Sequence, residues 1–87
     1  MEVIFPCTAQ TLSDFIGEVI GKHKLVKINF IDGTSVIHSY KDFLWVTRDE
    51  YPLVILGEGT FDLKGKEGNK DFKIILSMEI VNNWLGE

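Results

Sequence analysis

Between Thr11 and Gly21 the apolar residues Leu12, Phe15, Ile16, Val19 and Ile20 recur at the three- and four-residue spacing of one helical face. A helix that gathers its apolar residues on one side must lay that side on a second element. The next segment supplies it: from Val26 the period changes to two, with Val26, Ile28 and Phe30 facing one way and Lys27 and Asn29 the other. That pattern describes a half-buried strand. Asp32-Gly33 offers the positive φ angles of a tight hairpin, and Val36 and Ile37 begin the return strand. The expected fold class is therefore α+β, an N-terminal amphipathic helix packed on a small antiparallel β-sheet or barrel of five or six strands.

The limits of the helix follow from capping chemistry. Thr11 with Asp14 three residues later resembles a capping box, Asp14 and Glu18 sit on the polar side, and Gly21 with Lys22, His23 and Lys24 supplies a stop. Gly17 costs the helix about 1 kcal/mol relative to alanine and marks either a close backbone approach or nothing. Beyond the hairpin, Tyr40-Lys41-Asp42 reads as a bend, Phe43 to Thr47 as a third strand and Arg48 to Pro52 as a polar turn. Leu53-Val54-Ile55-Leu56 is an unbroken apolar run, expected to be a central strand buried on both sides. Gly57-Glu58-Gly59 ends it, Thr60 to Leu63 and Phe72 to Leu76 read as strands, and Lys64 to Lys70 as an exposed loop. Ser77 to Leu85 fits either a strand or a short helix, and the β-branched Ile80 and Val81 tilt the choice to strand.

Eighty-seven residues suffice for one domain, 1–87, with one core. A hydrophobic share of 45% against 25% charged residues is that of an ordered globular chain. One cysteine, Cys7, excludes an internal disulfide, and the two histidines form no zinc-ligand pattern with it. No apolar run reaches the roughly 20 residues of a membrane span, and the N-terminus lacks the basic and apolar regions of a secretion signal, so a cytoplasmic location is expected. The net charge of −4 argues against a protein whose main work is neutralising phosphates.

Individual residues offer little catalytic chemistry. His38 beside Ser39 lacks an evident acid and oxyanion site, so a rim histidine is the plainer reading; His23 meets a helix C-terminus. Cys7 reads as a small buried apolar side chain rather than a nucleophile. The glycines at 57, 59, 65 and 68 make no phosphate loop, because the lysine-hydroxyl signature is absent and Glu58 and Glu67 would repel a phosphate. No cofactor or metal is expected. Lys64, Lys66, Lys70 and Lys73, near Phe61 and Phe72, form the nearest approach to a single-strand-binding patch, but Asp62, Glu67 and Asp71 interrupt it.

The order of elements resembles that of Sm-like barrels, including the bacterial Hfq family. Leu12 to Ile20 corresponds to the N-terminal helix, Val26 to Gly33 to the first strand and its turn, and Ile75 to Ile80 to the link into the last strand. The resemblance implies a small Sm- or SH3-like barrel and, at most, ring assembly by strand pairing. It departs from the family at His38, where a glycine is usual, and at Ser77-Met78, where the RNA-binding Lys-His pair would stand.

Tyr40, Phe43, Trp45 and Tyr51, joined by Trp84, form the most suggestive group, since clustered Tyr and Trp are typical anchors of protein interfaces. A strand over 43–47 would carry Phe43 and Trp45 on one face and Leu44 and Val46 on the other, and so need cover on both. The expected function is a non-enzymatic protein-interaction module that binds a protein, itself included. An Sm-like single-stranded-RNA-binding ring is the alternative.

Overall fold

The computed structural model describes residues 1–65 and 73–81. Among the described residues seven strands and two helices follow one another as β1 (Glu2–Ile4), β2 (Cys7–Thr8), α1 (Ala9–Gly21), β3 (Leu25–Phe30), β4 (Ser35–Ser39), α2 (Tyr40–Trp45), a π-helical turn (Val46–Glu50), β5 (Leu53–Gly57), β6 (Thr60–Leu63) and β7 (Ile75–Val81). All pairings are antiparallel, in a four-stranded sheet ordered β1-β7-β3-β4 and a three-stranded sheet ordered β2-β6-β5. The α+β class is as expected, but the strands form two sheets rather than a closed barrel. The sheets meet at one corner: only Phe5 and Pro6 separate β1 from β2, and an isolated Lys64–Ile74 bridge joins the end of β6 to the start of β7.

Helix α1 starts earlier than its apolar period suggests. Thr8, with extended backbone at φ −79° and ψ 161°, is the cap, and its Oγ1 accepts the Thr11 amide at 3.2 Å. Thr11 is thus a first-turn residue. At the other end His23 N–H bonds Ile20 O and Lys24 N–H bonds Val19 O, with His23 itself left-handed at φ 52°. This is the Schellman arrangement with histidine in the place usually held by glycine. An added Cβ at Gly17 would meet nothing within 4 Å, so this glycine serves no close approach.

The β3–β4 hairpin is where the Asp-Gly pair places it. Its loop holds three residues, with Gly33 N–H bonding Phe30 O and Phe30 N–H bonding Thr34 O, and only Gly33 takes positive φ, at 93°. Strand β7 settles the ambiguous segment: Ile75–Val81 runs as one strand between β1 and β3, with Ser77 opposite Ile4 and Asn29 instead of capping a helix. The expected continuation to Leu85 lies outside the described residues, as does most of the expected 64–70 loop.

One core fills the space between α1 and the two sheets. Leu12, Phe15 and Val19 of the helix meet Val26, Ile28 and Phe30 of β3, Ile75 and Met78 of β7, Val3, Leu63 and Phe43. Burying Val26, Ile28 and Phe30 on one face of β3 is the alternation read from the sequence, at about 1.5–3 kcal/mol for each large apolar side chain withdrawn from water.

Candidate functional site

Phe43 to Thr47 is not a strand. Ser39 stands extended before α2, its hydroxyl 3.5 Å from the Asp42 carboxylate, and the chain then winds through helix and π-helical turn to Glu50. Thr47 donates its hydroxyl to the Phe43 carbonyl at 3.0 Å, the bond a hydroxyl makes one turn back along a helix. Consecutive apolar residues carry no period, and Trp45, Val46 and Thr47 favour strands locally, so the segment misleads. The reversal of side-chain direction is the consequence: Phe43 is fully buried while Trp45, two residues on, is 62% exposed.

The aromatic group separates accordingly. Phe43 meets Phe15 edge-on, ring centroids 6.1 Å apart, and belongs to the core. Tyr40, half-buried, stacks on His23 at 4.2 Å with an interplanar angle of 12°, tying the start of α2 to the end of α1. Tyr51 leans on Phe30 at 5.6 Å, and burial pushes its phenol up, with the Glu50 charge adding to the effect. Trp45 alone of these faces water, with the Arg48 guanidinium 4.8 Å from its ring centroid. Trp84 lies outside the described residues.

Strand β5 is the second correction. Among the described residues it is an edge strand, pairing only with β6, and Leu53, Ile55 and Leu56 are 45%, 71% and 51% exposed. An unbroken apolar run indicates cover on two sides without saying which chain provides it, and among the described residues the three-stranded sheet stops at β5. The need for cover expected of 43–47 therefore belongs to 53–57. Pairing of Leu53 with Leu63 and of Ile55 with Phe61 puts these residues on the face turned to α1, while Val54 and Leu56 take the other. Helix α1 covers Leu63 but stops short of β5.

The gap that remains is an apolar groove of about 330 Å³. Leu12 and Ile16 of α1 form one wall, Leu44 and Thr47 the other, and Leu53 and Leu63 lie between them. Arg48 at its rim is the one charged residue among the described residues of the lining and also lies 3.5 Å from Asp49. Leu44 and Leu53 meet at this groove, and they, with Trp45, Ile55 and Leu56, are exposed apolar side chains from two segments that the sequence reading had as strands needing cover on both sides.

The basic residues are placed less suggestively. Lys73 donates to Thr34 Oγ1 at 2.8 Å, lies 3.5 Å from the Asp32 carboxylate and stands 5.2 Å from the Phe30 ring centroid, so it fastens the β3–β4 turn to the start of β7. Asp32 also accepts from the Thr34 hydroxyl and amide, and these bonds, with Lys73, hold its carboxyl below the usual range. Lys64 is half-buried at the β6–β7 bridge; Lys66 and Lys70 lie outside the described residues.

Cys7 is buried, and burial raises its thiol pKa, with the Asp62 charge adding to the rise. That is the opposite of an activated nucleophile. His38 sits half-buried on β4 opposite Val26. Among the described residues no three His, Cys, Asp or Glu side chains gather as a metal site would require, and no helix is long and apolar enough to cross a membrane. No protein-family model, curated protein or solved structure matches the chain.

Proposed function

We propose that this chain is a non-enzymatic protein-interaction module that self-associates through the face formed by α2 and β5. The observation that carries the reading is β5 itself, an edge strand without a charged residue and apolar on both faces. An edge of this kind is a template for pairing, and proteins that stay monomeric blunt it with charge, proline or cover. Here the nearest proline, Pro52, precedes the strand and leaves its length open.

Burial supplies the energy for such an association. Each of Leu44, Trp45, Leu53, Ile55 and Leu56 keeps about half or more of its surface in water, and withdrawal yields roughly 25 cal/mol per Å² before the costs of association. The Sm-like RNA-binding alternative draws on lysines of which Lys73 is already engaged by Asp32 and Thr34, and no observation favours it over self-association. Sedimentation velocity across micromolar concentrations tests the proposal. A concentration-dependent dimer or higher species is expected, and a strict monomer would overturn it.

A further inference from the structure

The hydrogen-bond pattern of β5 identifies which backbone groups remain to be paired. Lys64 N–H donates to Pro52 O, which makes Leu53 and Leu63 a non-hydrogen-bonded pair and Val54 and Asp62 a hydrogen-bonded one. Phe61, opposite Ile55, turns its own groups to β2, because Ala9 N–H bonds Gly59 O and so sets Cys7 and Phe61 as the bonded pair. The N–H and C=O of Leu53 and Ile55 therefore point away from β6, to an edge that no described residue occupies.

Resting on the self-association reading above, we infer that a second copy of this chain pairs its β5 antiparallel to the first, about a two-fold axis at Val54. In that register Leu53 lies opposite Ile55 of the second copy and Ile55 opposite its Leu53. The free groups of both strands then meet in four hydrogen bonds, without recourse to Gly57, where a bulge and φ of 143° break the ladder.

The chemistry of the strand fits its own copy. A two-fold axis normal to the sheet keeps each face on its own side, so Leu53 and Ile55 join their equivalents beside the groove, and Val54 and Leu56 join theirs on the opposite face. No charge lies within the strand to repel its like. The nearest ladder charge, Asp62 on β6, is three strand spacings from its equivalent, about 14 Å. That exceeds the screening length of about 8 Å at physiological salt. The other five-residue edge strand among the described residues, β4, carries the polar Ser35, His38 and Ser39 and passes directly into α2 at Tyr40.

Amide hydrogen exchange read residue by residue at rising concentration tests the pairing. Protection of the Leu53 and Ile55 amides is expected to rise as dimer forms, while Val54, already bonded to Asp62, changes little. A sedimenting dimer with both amides unprotected would overturn the edge pairing and leave self-association standing; a monomer would remove both. Cysteine cross-linking in a Cys7→Ser background separates this geometry from pairing of β5 with another edge. Non-hydrogen-bonded partners stand about 4.5 Å apart at Cα, within disulfide reach. Mild oxidation is expected to couple Val54→Cys to its copy at least about tenfold faster than Trp45→Cys or Ile37→Cys. Protection without that preference would overturn the two-fold register.

Discussion

Two substitutions two residues apart separate a helix at α2 from a strand. Phe43 is fully buried against Phe15, whereas Trp45 is 62% exposed with Arg48 across its ring. Truncating a buried phenylalanine removes its transfer energy and leaves a cavity, at about 3–5 kcal/mol. Phe43→Ala is expected to fall in that range, a large share of the roughly 4–13 kcal/mol that 0.05–0.15 kcal/mol per residue gives a chain this long. Trp45→Ala removes an exposed cation–π contact and little burial, so about 1 kcal/mol or less is expected. The assay is urea denaturation followed by circular dichroism, at a concentration low enough to keep the chain monomeric. Phe43→Leu, which keeps most of the apolar volume, provides a folded intermediate case should Phe43→Ala unfold. Equal costs at 43 and 45 would refute the helical placement, because a strand carries both residues on one face.

Two further tests concern titratable groups. The Asp32 carboxyl is depressed by its Thr34 bonds and by Lys73, so its contribution to stability is fully present above the ordinary carboxylate pKa of about 4 and is lost as pH falls through the lower folded value. The stability difference between the wild type and Asp32→Asn, measured by urea melts from neutral to acid pH, is expected to shrink below about pH 4; a constant difference would contradict the clamp. Cys7 is buried with a raised thiol pKa, so a thiol reagent at neutral pH is expected to label the native chain far more slowly than the chain in urea. Comparable rates would show the thiol to be accessible.

How far the sequence is legible depends on whether a segment carries a period. Leu12 to Ile20 repeats like a helix and Val26 to Phe30 alternates like a strand, and both are found where they were expected. Asp32-Gly33 closes its hairpin because only glycine takes φ of 93° there without cost. Phe43 to Thr47 and Leu53 to Leu56 are consecutive apolar runs, and such runs report hydrophobicity without direction. The first became a helix that begins after the extended Ser39; the second became an edge instead of a centre. Strands β1 and β2 are too short to alternate detectably, and their places depend on partners distant in sequence, β7 and β6. Of the expected interface residues, Trp45 faces outward and Phe43 inward, a difference fixed by helical geometry that composition cannot express.

Sedimentation equilibrium of the wild type beside Ile55→Lys bears most directly on self-association through β5. The wild type is expected to dimerise at micromolar concentration, more tightly as added salt screens the −4 charge of each copy. Ile55→Lys sets a charge on the free edge and is expected to weaken the dimer by at least about tenfold, or 1.4 kcal/mol. A wild type that stays monomeric at its highest attainable concentration, or a dimer indifferent to Ile55→Lys, would contradict the assignment of β5 as the interface.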